Sequence, residues 1–154
     1  MNRLADIQNF FSYKQIAMIG VSQSSGELSN QLFSELIRRG YEIIPVNPKY
    51  EEVTGKRCFG HIHEIPQIPK AALLMTPQRL TEQMVLECKQ AGVEIVWVYG
   101  TNGRSRLTTE KSAKIRTMGM TVIEGECPYM FLPKSGGVHR CHAFVRKVFR
   151  SYPA

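Results

Sequence analysis

Three short stretches of this sequence carry residue types suited to holding an anion. The first is "IGVSQSSG", with Gly20, Val21 and Ser22 followed by Ser24, Ser25 and Gly26. A glycine at the end of an apolar run lets backbone N–H groups approach a phosphate. A helix start behind it adds roughly half a positive charge, and serine hydroxyls can donate further hydrogen bonds. The spacing is G-V-S-x-S-S-G, not the G-x-G-x-x-G of a dinucleotide site, and a tight turn with ordinary serine capping is the competing reading. The second stretch is Asn47-Pro48-Lys49. A nicotinamide-dinucleotide domain usually places an acid near this point, about 20 residues after its glycines, to accept from a ribose 2′-OH. No acid stands at this tip, and Lys49 would instead attract a phosphorylated ribose. Two common ligands carry one: NADP, with a 2′-phosphate, and coenzyme A, with a 3′-phosphate. Lys56 and Arg57 in "TGKRC" could fold toward the same place, and a solvated Lys49 is the alternative. The third stretch is Thr76-Pro77, a hydroxyl-bearing wall suited to an adenine or a pantetheine arm. Pro77 would pre-set the first helical turn, where its missing N–H costs nothing, and a plain helix start is the alternative.

Other reactive residue types are present without a motif to organise them. Gly100 and Gly103 would keep a fourth loop open, with Arg104 and Arg106 offering anion contacts or solubility. Cys127 precedes Pro128 and has no neighbour that would make it a thiolate, so an inert thiol is expected. "CFGHIH" (Cys58, His61, His63) and "HRCH" (His139, Cys141, His142) match no recognised zinc spacing, and no metal is expected. No Ser-His-Asp or Cys-His arrangement is supported either, so no catalytic residue is assigned.

The elements that must position these residues follow from periodicity. A first helix is expected over Leu4–Phe11, then a strand over Gln15–Ser22 whose continuous apolar run marks burial on both faces. Leu28–Gly40 has the spacing of an amphipathic helix with a glycine stop. Tyr41–Pro48 is the second strand, and Pro45 inside it favours an edge position. An irregular stretch follows, with a short helix around His63–Ile65. Strands at Lys70–Thr76, Val93–Gly100 and Met120–Glu126 then alternate with two helices, the first ending at Gly92 with Leu80, Met84, Val85 and Cys88 inward. A last helix is expected from Val138, with Val138, Phe144, Val145 and Val148 inward. Five strands alternating with helices imply an α/β, Rossmann-like, doubly wound five-stranded parallel sheet with helices on both faces. Ligands of such sheets bind at the carboxyl ends of the strands, which here are the loops beginning at Gly20, Asn47, Thr76, Gly100 and Gly125.

Bulk composition narrows the function classes. The 154 residues fit a single domain over 1–154, and 43% hydrophobic with 21% charged residues is ordinary for a globular protein. No run is long enough to cross a membrane and no signal-peptide pattern opens the chain, so a cytoplasmic protein is expected. Four scattered cysteines without a CxxC pair are expected as free thiols. The net charge of +7 gathers partly in "HRCHAFVRKVFRSYPA", through Arg140, Arg146, Lys147 and Arg150. A solvated basic helix end is the favoured explanation; no nucleic-acid signature accompanies the charge, and nucleic acid is not expected as a partner.

Together, "IAMIGVSQSS…G", "GYEIIPVNPKYEEVTGKRCF…IHEIP", "AALLMTP", "ECKQAGVEIVWVYG" and "TVIEGECPYMF" resemble the CoA-binding domain family, relatives of the nucleotide-binding domain of the succinyl-CoA synthetase alpha subunit. The resemblance runs from about Ile16 to Phe131, and "GGVHRCH" resembles the tail of small free-standing members. It implies a CoA or acyl-CoA pocket built from Gly20–Ser25, Asn47–Lys49 and Thr76-Pro77, with the Cys127-Pro128 loop closing nearby. The synthetase also uses a phosphorylatable histidine in a second domain and a nucleotide-grasping partner, and neither has a matching motif here. A non-catalytic binding, carrier or regulatory module is therefore expected, with an NADP-binding oxidoreductase-like protein as the alternative. A homodimer through an edge strand or the terminal helices is a further expectation.

Overall fold

The computed structural model describes residues 3–99, 107 and 109–132. The expected helix from Val138, the tail's histidines and arginines, and Gly100, Gly103, Arg104 and Arg106 lie outside them.

Among the described residues seven strands and four α-helices follow in chain order: α1 (Leu4–Ser12), β1 (Gln15–Ile19), α2 (Leu28–Arg38), β2 (Glu42–Val46), β3 (Glu52–Val53), β4 (Lys56–Arg57), β5 (Ala71–Leu74), α3 (Gln78–Gln90), β6 (Ile95–Val98), α4 (Thr109–Thr117) and β7 (Thr121–Glu124). Five strands form one parallel sheet in the order β2-β1-β5-β6-β7. Alternate residues of the inner strands feed two cores, which is why these strands read as unbroken apolar runs. Ile16, Met18, Leu73 and Trp97 face α1 and α2, whereas Ala17, Ala72, Leu74 and Val96 face α3 and Ile115 of α4. The sheet is thus the doubly wound α/β sheet the alternation implied. Trp97 joins distant segments of the first core. Its ring meets Phe10 edge-on at 5.2 Å, and its Nε1 donates to the Glu126 carbonyl at 2.9 Å.

Pro45 does sit on an edge strand. Its carbonyl accepts from Phe59 N at 3.0 Å on the outer side, so its missing N–H also faces away from β1. α2 ends as its glycine suggests: Gly40 N bonds the Ile37 carbonyl and Tyr41 N the Leu36 carbonyl, the paired bonds of a Schellman motif.

The irregular stretch after β2 is more ordered than expected. β3 and β4 form a small hairpin whose central residues Thr54 and Gly55 have φ of 50° and 77°, the sign needed by a two-residue primed turn. The expected short helix is a 3₁₀ turn at Ile62–Glu64, one residue earlier than the sequence suggested. Ile62 and Ile65 pack into the second core, so this excursion covers the sheet where a longer helix would otherwise lie. Pro77 is the cap residue just before α3, with ψ of 146°, not its first helical residue.

Candidate functional site

The chain leaves β1 toward β2 on one side and reaches β5 on the other, so the sheet's switch point lies between β1 and β5. At this place successive loops diverge and leave a crevice. A pocket of about 360 Å³ opens there, walled by the ends of β1, β2 and β5, the 60–62 segment and one face of α3. Its size is at the small end for ligand sites, which run to roughly 300–1,000 Å³.

Gly20 makes the crevice narrow. Its φ is +89°, and a Cβ there would stand 2.9 Å from the Met75 carbonyl oxygen and 3.1 Å from Thr76 Cγ2. Only glycine lets the two loops touch. Its N–H is already bonded to the Val46 carbonyl at 2.8 Å, so the residue acts by shape and by tying β1 to β2.

The serine-rich turn largely satisfies itself. Ser22 N donates to Ser29 Oγ at 3.0 Å, and Ser24 N donates to Ser22 Oγ at 3.1 Å. Asn30, buried at the start of α2, donates through Nδ2 to the Ser22 carbonyl at 2.8 Å and to Thr54 Oγ1 at 3.3 Å. That second bond braces the turn against the hairpin. Glu27, the cap residue of α2, makes no side-chain capping bond, so the first-turn N–H groups of that helix are where a phosphate could find backbone donors.

Asn47 is the clamp of the second loop. Its Nδ2 donates to the Val21 carbonyl at 2.8 Å and its Oδ1 accepts from Lys49 N at 3.0 Å. This Asx turn carries Lys49 out over the pocket mouth. Arg79, on the first turn of α3, lines the same pocket. Two cations from different elements therefore border it.

Of the residues singled out from sequence, Gly20, Ser22, Asn47, Pro48, Lys49, Thr76 and Pro77 line this one pocket. Val21 is fully buried in the first core, and only its carbonyl reaches toward the site. Ser24 and Ser25 are exposed on the turn beyond the lining. Cys127 follows β7, two strands from β5, and is half-buried. Burial pushes its thiol pKa up, opposed by hydrogen bonds from the backbone of Tyr129 and Met130 and from Tyr99. Lys56 and Arg57 turn elsewhere. They border a separate open hollow outside β2, where the Arg57 guanidinium lies 5.0 Å from the Phe59 ring. Sequence reasoning missed Arg79, His61 and the apolar face of α3. Leu80, Met84, Val85 and Cys88 were expected inward: Val85 and Cys88 are buried beside Thr81, Met84 packs half-buried against the second core and also lines the pocket, and Leu80 is half-buried along the pocket.

Cys58 is buried with Sγ 3.6 Å from the Asn47 carbonyl, and burial raises its pKa. Among the described residues no group of three or more His, Cys, Asp or Glu is placed to hold a metal. No described helix is long and apolar enough to cross a membrane.

The model of the CoA binding domain matches residues 14–133, which takes in the whole sheet and the pocket. The chain belongs to the CoA-binding domain family. Among curated proteins it is similar to the acetate–CoA ligase (ADP-forming) II subunit alpha of Pyrococcus furiosus, 30% identical over 147 residues, covering 91% of this chain and 30% of that one. A second relative, acetate–CoA ligase (ADP-forming) I of Archaeoglobus fulgidus, is 31% identical over 88 residues, 57% of this chain and 13% of its own length. This CoA-binding domain thus spans less than a third of either relative. Among solved structures it resembles a hypothetical protein from Pyrococcus horikoshii OT3, with a TM-score of 0.71 and 29% identity over 83% of this chain and 92% of that one.

Proposed function

We propose that this chain binds coenzyme A or a short acyl-CoA, with the nucleotide end in the switch-point pocket, and serves as a binding, carrier or regulatory module. The observation that carries this reading is Lys49 at the tip of β2, facing the same pocket as Arg79 in a member of the CoA-binding domain family. A 3′-phosphate would meet Lys49, and the pyrophosphate would lie toward Arg79, Ser22 and the start of α2. Ser24 and Ser25 would donate from the solvent side. Thr76 and Pro77 would wall the seam along which the pantetheine arm leaves. Cys127 stands two strands farther along the same carboxyl end, about 10 Å at ordinary strand spacing. It enters as a residue the arm passes, outside the nucleotide pocket.

The test is calorimetric titration with CoA and with dephospho-CoA. Loss of one charge-assisted contact at an exposed lysine costs about 1–1.5 kcal/mol, roughly tenfold in affinity at low salt and less as salt rises. CoA should bind about tenfold tighter than dephospho-CoA, and Lys49→Ala should erase the difference. Equal affinities for the two ligands would overturn the reading of Lys49. NADP carries a phosphate that would suit the same cation, so NADPH is titrated alongside, and tighter binding of NADPH than of CoA would favour a nicotinamide enzyme instead. A homodimer would use an edge strand of the sheet, β2 or β7, or the terminal helices, and light scattering at micromolar concentration checks it.

A further inference from the structure

The tip of β2 holds a neutral side chain in a place where an acid could close the same turn. Asn47 lines the pocket; its Oδ1 accepts from Lys49 N at 3.0 Å and its Nδ2 donates to the Val21 carbonyl at 2.8 Å. A backbone donor on one side and a backbone acceptor on the other fix which way the amide points. Aspartate could also accept from Lys49 N, because Asx turns use either residue. It could not donate to Val21, since its second oxygen would face that carbonyl, acceptor against acceptor. The backbone of Asn47 is committed as well, its N–H to the Phe59 carbonyl at 2.8 Å and its carbonyl to Tyr50 N at 3.3 Å. Pro48 follows, exposed and with a fixed φ, so the tip is stiff from Asn47 to Lys49. Lys49 makes no ion pair among the described residues, which leaves its charge for a ligand.

We propose that Asn47 determines the specificity of this tip, selecting a phosphorylated ribose over one with free hydroxyls by clamping Lys49 without adding a negative charge. This rests on the coenzyme A reading above and adds to it the residue that keeps the cation available. A nicotinamide-dinucleotide domain has an acid near this point, which accepts from a ribose hydroxyl and would repel a phosphate. A carboxylate at position 47 would stand beside Lys49 N. There it could pair with the lysine's own ammonium and repel an incoming phosphate. Both effects act on the phosphorylated ligand and spare one with a free 3′-OH. A unit charge a few ångströms from a phosphate changes its binding several-fold even in water. Asn47 acts on the phosphate through Lys49 and is a positioning residue in that sense.

The experiment is calorimetric titration of the intact protein with CoA and with dephospho-CoA at low salt, for the wild type, Asn47→Asp, Asn47→Ser and Pro48→Asp. The wild type should prefer CoA by about tenfold, as argued for Lys49. Asn47→Asp should bring the two ligands within about threefold. Serine is neutral and its hydroxyl can accept from Lys49 N. Asn47→Ser should therefore weaken both ligands together and keep a preference of at least about fivefold. Pro48→Asp keeps both side-chain bonds of Asn47 and loses no N–H bond, while adding a carboxylate one residue from Lys49. It should lower the preference to about threefold even if Asn47→Asp fails to fold. A purely structural role for Asn47 would weaken both ligands together in Asn47→Asp and leave their ratio unchanged, and that result overturns the proposal. So does an Asn47→Ser protein whose preference collapses as far as that of Asn47→Asp, or a Pro48→Asp protein whose preference is intact. Equal binding of the two ligands by the wild type removes the Lys49 reading together with this proposal. A wild-type preference that survives Asn47→Asp removes this proposal alone.

Discussion

Replacing Gly20 by alanine separates two costs that the structure assigns to the same residue. The first is conformational: at φ of +89° a Cβ adds about 1–2 kcal/mol of backbone strain. The second is steric. The new methyl would stand 2.9 Å from the Met75 carbonyl oxygen and 3.0 Å from its carbon, both backbone atoms that cannot swing aside as a side chain would. Overpacking of that kind costs about 1–3 kcal/mol. Gly40 supplies the control, since its φ is +88° but nothing lies within 4 Å of its would-be Cβ. Gly20→Ala should therefore destabilise the protein by about 1–3 kcal/mol more than Gly40→Ala in urea titrations. In a domain of this size that is a further fall in Tm of at least about 2 °C. Because the displaced atoms belong to the Met75–Pro77 wall, Gly20→Ala should also weaken CoA binding, while Gly40→Ala leaves it intact. Equal destabilisation by the two substitutions would show that the loops can part without cost, and the close approach would then explain nothing.

Two further outcomes follow from groups outside the pocket. Hydrogen bonds from Arg38, then those from Arg39, hold the Glu35 carboxyl below its ordinary pKa, against an opposing effect of burial. A depressed folded pKa contributes stability that is fully present above the unfolded value of about 4.3 and is lost as pH falls through the folded one. The stability gap between wild type and Glu35→Gln should thus be constant from neutral pH to about 5 and close below 4; a gap that widens on acidification would reverse the assigned sign. Burial, with a smaller contribution from Glu87, pushes the Cys88 thiol up to about 12, and burial also raises Cys58 and Cys127. Peptide mapping after iodoacetamide treatment at pH 8 should find these three slow to react in the native protein and fast in urea; rapid labelling of native Cys127 would mean an activated thiolate.

The sheet was legible because its strands are buried on both faces, so they appear as apolar runs such as "IAMI" and "IVWV" between helix-period segments. Pro45 even marked the edge correctly. The hairpin was not legible, since each of its strands is two residues long and only Thr54-Gly55 hints at the reversal. That reversal also explains why Lys56 and Arg57 leave the pocket. Leu80 and Met84 illustrate a different limit. Helical periodicity reports that a residue faces the protein, but a core and a ligand pocket on adjacent arcs of α3 have the same apolar signature. Arg79 carried no signal of its own in a chain with 20 basic residues, although its place on the first turn of a helix after a strand end was a clue. For the turn at Gly20, sequence suggested free N–H groups, whereas the fold spends those of Gly20, Ser22 and Ser24 on internal bonds. Both readings of the turn thus hold a share: it caps itself, and it shapes the crevice.

The most direct measurement is a crystal structure of the protein grown with CoA. The account predicts the 3′-phosphate within hydrogen-bonding distance of Lys49 Nζ and the adenosine between α3 and residues 60–62. Lys49 turned to solvent, with the adenosine bound away from Gly20 and Asn47, would contradict it.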